Sequence, residues 1–135
     1  IKMGTQQCKR IYTLDKIKLF ENLQEDQTVL KIDWNYDSIS SQSLTFFTKL
    51  KHVKFRKPTF KIDSLVLTNE GYKFLISSTE FCKAVYIEEN ESSSFFPNFF
   101  DLAPGEQLSI SCKTQNKSID LKDLEIISLY DHLEK

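Results

Sequence analysis

Glycine and proline are scarce in this chain of 135 residues, at three each, and it holds only two histidines, one tryptophan and one methionine. Glycines at positions 4, 71 and 105 alone exclude a Gly-rich loop that cradles phosphate. Of the histidines, His52 lies in a basic segment and His132 almost at the C-terminus. Neither falls in a motif that would tie it to a cysteine or a particular serine as nucleophile and base. The three cysteines, Cys8, Cys82 and Cys112, allow at most one disulfide. None has the C-x-x-C spacing of a zinc site. Cys82 and Cys112 sit in apolar, strand-like runs, where buried free thiols are expected. No stretch approaches the ~20 apolar residues of a membrane-spanning helix, and no signal-peptide pattern is visible. The chain begins with Ile1, so position 1 is not expected to be the native start.

What is present is a globular composition: 40% hydrophobic and 13% aromatic residues, enough for a core and against disorder. The length suits one domain, or at most two small ones. Eighteen basic against nineteen acidic residues leave a net charge of −1, which gives no electrostatic reason to expect nucleic acid or an anionic membrane as partner. The one basic run, residues 49–57, alternates its charges with Leu50, Val53 and Phe55, as on the wet face of a strand. Two sequons occur, at Asn90-Glu91-Ser92 and Asn116-Lys117-Ser118. They have meaning only where secreted proteins are glycosylated.

Strand periodicity dominates. Over residues 28–37, Leu30, Ile32, Trp34 and Tyr36 alternate with polar residues, placing four large side chains on one sheet face. Ile17 and Leu19 alternate with Lys16 and Lys18 in the same way, and residues 43–55 read as a further strand ending before Pro58. Residues 60–68 and 71–77 predict a hairpin joined through Asn69-Glu70-Gly71, with Gly71 free to take a positive φ. Residues 81–88 read as a strand buried on both faces, residues 89–94 as a loop, and Leu108, Ile110 and Cys112 as an alternating strand. Residues 125–130 read as the closing strand. Asp120 is placed to N-cap one helical turn at residues 121–124. Seven or eight short strands with turn residues between them predict a two-layer antiparallel sandwich.

From Arg56 onward the residues resemble a known family. The segment Arg56-Lys57-Pro58-Thr59, the run 75–87, the twelve residues Phe95-Phe96-Pro97-Asn98-Phe99-Phe100-Asp101-Leu102-Ala103-Pro104-Gly105-Glu106, and the closing Ser128-Leu129-Tyr130-Asp131 after Leu121-Lys122-Asp123-Leu124 are similar, in this order, to the C-terminal immunoglobulin-like domain of the family 2 β-mannosidases. Phe96-Pro97 departs from that family's Ser-Asp. The resemblance covers residues 56 to about 131 and implies an immunoglobulin-like antiparallel β-sandwich, with residues 1–55 either ending a preceding sandwich domain or adding strands to the same one. It also implies a non-catalytic accessory domain that packs on the other domains of a parent enzyme acting on terminal β-mannose. The compartment stays open, since family members occur in lysosomes, periplasm and cytoplasm.

Within the twelve-residue motif, Phe99 and Leu102 are expected to pack inward. Asn98 and Asp101 should bond local backbone groups, and Pro104-Gly105 should make a tight turn. Enzymes of that family work with two glutamates in a (β/α)8 barrel of about 250 residues, more than this chain holds. Asn69-Glu70 and Asn90-Glu91 echo the family's Asn-Glu pair but fall in turns. Glu88, Glu89 and Glu91 lack the regular ligand spacing of a calcium loop. No catalytic residue, metal or other cofactor is expected. Carbohydrate is the remaining candidate ligand, through exposed aromatic rings. Trp34, Tyr36, Phe95 and Phe96 are the candidates for sugar or domain contact, with the free-standing glycan-binding module as the alternative function. Against this, the stripe holding Trp34 and Tyr36 has the pattern of a core face.

Overall fold

The computed structural model describes residues 13, 15–114 and 123–133, without the side chain of Tyr36. The chain divides between Lys54 and Phe55 into two compact units.

The first unit is built on one hairpin. Strands β1 (Val29–Tyr36) and β2 (Ile39–Phe46) pair antiparallel from Val29 opposite Phe46 to Tyr36 opposite Ile39. The two-residue turn between them puts Asp37 at φ 50°, a conformation that Asp tolerates better than most residues. Ahead of the hairpin, Lys16–Leu19 form a short helix, α1, not a strand; Asp15 accepts the Ile17 N–H at 3.0 Å and so caps it. Residues 43–55 likewise do not form one strand. β2 stops at Phe46, and the basic run enters a 3-10 turn at Leu50–His52, closed by His52 N–H to Lys49 O at 2.8 Å and Val53 N–H to Leu50 O at 3.1 Å. Its charged side chains are exposed and flank half-buried Val53 and Phe55, so the wet face holds although the strand does not. Lys54 returns to Asp26 through both its amide and its ammonium, each at 2.7 Å.

The second unit is the immunoglobulin-like antiparallel β-sandwich. One sheet has the order β3 (Phe60–Thr68), β4 (Gly71–Ser78), β8 (Gln107–Thr114), β6 (Ser93–Phe96); the other has β7 (Phe100–Leu102), β5 (Cys82–Ile87), β9 (Ile126–Ile127). From β5 onward, successive strands alternate between the two layers, and the space between the layers is the core. The alternation of β4 and β8 supplies it directly: Tyr72, Phe74, Ile76, Ile110 and Cys112 point inward and meet Phe95 from β6 and Ile87 from β5. A second cluster, Cys82, Val85 and Leu102, is joined to it by half-buried Phe60, Phe100, Leu108 and Ile126. Each such side chain, fully buried, contributes about 1.5–3 kcal/mol.

The β3–β4 hairpin turns through Asn69-Glu70, with Thr68 opposite Gly71 and Gly71 at φ 142°. β5 is buried on one face rather than two. A bulge between Cys82 and Val85, with Ala84 at φ 52°, leaves Tyr86 half-buried on the far side. The polar segment after β5 is shorter than expected, because Ser93 and Ser94 already pair with β8. The chain's last strand is also short: after β9, Ser128 opens a second helical turn, α2 (Tyr130–Leu133). Asp131 Oδ2 accepts from both Ser128 N–H at 2.7 Å and Ser128 Oγ–H at 3.1 Å, which supplies the side-chain-to-N-cap-amide half of a capping box. Both Cys82 and Cys112 are free and buried, and burial pushes each thiol up in pKa. Cys8, Asp120 with its helical turn, and the Asn116 sequon lie outside the described residues.

Candidate contact surface

The twelve-residue segment from Phe95 to Glu106 shows how the chain positions its surface groups. Asn98 and Asp101 bond backbone as expected, Asn98 locally through the Phe99 N–H at 3.2 Å, but both also reach across to β5. Asn98 Oδ1 accepts the Ile87 N–H at 2.9 Å and its Nδ2 donates to Ile87 O at 3.0 Å, as a strand neighbour would. Asp101 Oδ1 accepts the N–H of bulged Ala84 at 2.9 Å, while Oδ2 meets Lys83 Nζ at 2.7 Å. A turn closes at Pro104-Gly105, with Glu106 N–H to Ala103 O at 3.0 Å and Gly105 at φ 74°. Leu102 packs inward; Phe99 does not. A φ of 57° swings Phe99 outward, where its ring is exposed and stacks on Tyr86 at 4.7 Å between centroids.

Adjacent strand residues face opposite ways, and this separates the paired candidates on β6. Phe95 is 4% exposed and sits edge-to-face with Phe74 at 6.4 Å. It is therefore core, and the expectation that it contacts sugar or another domain is corrected. Phe96 is 77% exposed, on the outer face of the same sheet. Trp34, in the first unit, is 48% exposed and Ile32 beside it 46%, so this part of the β1 stripe is not a core face. The Tyr36 side chain lies outside the described residues.

Register defines what surrounds Phe96. One cross-strand row runs Phe96, Ser111, Lys73, Val66 from β6 to β3; the next runs Ser94, Lys113, Gly71, Thr68. Directly paired residues share a face with Cβ atoms about 5 Å apart. A shallow groove of about 700 Å³ lies over these rows and reaches the β3–β4 turn. At that turn Glu70 and Lys113 form an exposed ion pair at 3.0 Å. A second depression of about 960 Å³ continues past the same turn to Asn90–Ser93. Ser111, Lys73, Lys113 and Ser94 were not singled out from sequence. Alternation along β4 and β8 marks them as outward-facing, but only strand register sets them beside Phe96.

The carboxylates do not assemble a hydrolytic pair. Glu70 is held in its ion pair, and Asn90 is spent on its own turn, accepting from the Ser92 N–H and the Ser92 and Ser93 hydroxyls. Glu89 Oε1 accepts the Phe95 N–H at 2.9 Å. One carboxyl pair escaped the sequence reading because its members are far apart in the chain. Glu88 is hydrogen-bonded to Glu125, and that bond, then the neighbouring charge, pushes the Glu88 carboxyl above its ordinary value. Carboxyls in hydrogen-bond contact are too close to flank a glycosidic bond, which needs about 5 Å or more between them. They do make a pH-sensitive contact. A carboxyl raised in the folded state contributes stability that is full below the ordinary carboxylate pKa and is lost as pH rises through the raised value. Glu125→Gln is therefore expected to resist urea better than the parent at neutral pH. The gap should close as pH falls below the ordinary carboxylate range. Parallel, pH-independent curves would show that the contact carries no proton linkage.

Among the described residues, no three or more His, Cys, Asp or Glu side chains are grouped to hold a metal ion, and no helix is long and apolar enough to cross a membrane. No curated protein sequence matches the chain. A family of Ig-fold domains named for mannosidases does match, over residues 55–132, the span that the sandwich occupies. The chain belongs to this mannosidase Ig-fold domain family, as an accessory domain of a mannosidase-type glycoside hydrolase.

Proposed function

We propose that the parent enzyme is a β-mannosidase that removes terminal β-mannose from oligosaccharides, and that this domain serves it without taking part in catalysis. The observation that carries this reading is the family match over residues 55–132. The domain's work is then mechanical: it buries apolar surface against other domains of the enzyme and steadies the surroundings of the catalytic barrel. Leu65 and Leu67, exposed on the edge strand β3, offer apolar surface for that contact. The division of the chain at Lys54 and Phe55 supports assigning residues 1–55 to the end of a preceding domain.

The test uses an antibody to this domain to capture the native protein from source extract, followed by assay on chromogenic β- and α-mannosides. The expected result is a polypeptide several times larger than 15.8 kDa that turns over the β-mannoside only, while the pure chain turns over neither. Turnover by the pure chain would overturn the accessory role. A native protein near 15.8 kDa without hydrolase activity would instead leave a free-standing glycan-binding module.

A further inference from the structure

We infer that the outer face of the four-stranded sheet, around Phe96, is a binding site for a neutral oligosaccharide, separate from any catalytic centre. Exposure alone does not carry this; the combination of groups does. A pyranose is amphipathic in a particular way: its C–H bonds gather on one or both ring faces and its hydroxyls radiate from the edge. Its complement is one flat apolar surface ringed by small polar side chains. That is what the register builds. The Phe96 ring is 77% exposed and stands at the open edge of β6. Next to it in the same row lie the Ser111 hydroxyl and the Lys73 ammonium, with Ser94 and Lys113 in the adjacent row. The groove over them is bounded at one end by the β3–β4 turn, where Glu70 and Lys113 pair at 3.0 Å.

The dimensions suit a disaccharide. From β6 to β4 is two strand spacings, roughly 10 Å, so one ring can lie on Phe96 while the next meets Lys73 and the Glu70–Lys113 pair. The groove's volume of about 700 Å³ falls within the range of small-molecule sites. The lining argues against a protein occupant. Around Phe96 it presents Ser94, Ser111, Lys73 and the Glu70–Lys113 pair, whereas the buried centre of a protein interface is depleted of charge. It also argues against an anionic glycan. Lys113 is already matched by Glu70, which leaves Lys73 as one ammonium in the groove and no cluster of cations.

The experiment titrates the full chain with β-1,4-mannobiose, cellobiose, N,N′-diacetylchitobiose and a sulfated heparin disaccharide, following amide shifts by NMR. The expected result is saturable binding of at least one neutral disaccharide, with a dissociation constant on the order of 1 mM and shifts at Phe96, Ser111 and Lys73. Phe96→Ala should weaken it about tenfold. Phe96→Trp should keep or tighten it, and Phe99→Ala, which removes an exposed ring from the opposite sheet, should leave it unchanged. Three outcomes would overturn the site: no saturable binding of a neutral disaccharide, binding indifferent to Phe96→Ala in a folded variant, or binding of the sulfated disaccharide alone. None of these depends on whether the native protein hydrolyses mannosides.

Discussion

Gly71→Ala is expected to lower the stability of the Ig-fold domain by about 3 kcal/mol or more. Two effects combine at this position. Its φ of 142° lies in a region that glycine visits freely and a residue with a Cβ does not. In addition, a Cβ built there would stand 2.2 Å from Cys112 O and 2.9 Å from Thr114 N. Both are backbone atoms of β8, so no rotamer change can relieve the clash. The chain has to move at the point where β4 begins and where Thr114 N–H reaches Glu70 O at 3.1 Å. Urea unfolding followed by far-UV circular dichroism measures the loss, and hydrogen exchange should show the first rungs of the β4–β8 pairing opening first. A variant within about 0.5 kcal/mol of the parent, as an ordinary surface substitution would be, would mean that the strands do not approach this closely.

Phe74→Ala should cost about as much, roughly 3–5 kcal/mol, by a different route. Phe74 is 2% exposed at the middle of β4, touches Phe95 edge-to-face and belongs to the larger core cluster. Removing the ring takes away its transfer free energy and leaves a cavity that two paired sheets cannot close by shifting. Phe74→Leu, which keeps most of the volume, should lose far less. The probe must be chosen with care: the single tryptophan, Trp34, lies in the other unit, so indole fluorescence reports on the wrong part of the chain. Circular dichroism or resolved methyl resonances of Ile76 and Ile110 read the sandwich itself. Equal losses for the two variants would argue that the specific packing of the ring, rather than the apolar volume that leucine retains, decides its contribution.

The sandwich was legible where alternation was long. Residues 60–77 and 107–114 read correctly because each run offers several repeats of period two and a turn residue, Gly71 or Gly105, at its boundary. Short segments misled. Four residues cannot separate a strand from a helical turn, and at Lys16–Leu19 the Asp15 cap decided the matter. Past Phe46, the basic run had the alternation of a strand, but its amides bond three residues back rather than to a neighbour. For the candidate surface, Phe95 and Phe96 were singled out together. Sequence gives no ground for choosing which of two adjacent phenylalanines points inward; pairing opposite Cys112 and Ser111 makes that choice. Phe99 was misplaced because its outward turn depends on one backbone angle. The Glu88–Glu125 contact depends on β5 and β9 being neighbours.

The reach of Asn98 and Asp101 onto β5 has a further consequence, for solubility. Where β7 is too short to run the length of β5, backbone groups of β5 would face solvent and could template a strand from another molecule. The two side chains occupy those groups at Ile87 and Ala84, so this margin of the sheet is closed to a newcomer without a longer strand being needed. β3 is the long margin left, and it carries its own deterrents: the Lys61–Asp63 ion pair and the kink at Ser64, which interrupts the even spacing an incoming strand would have to match.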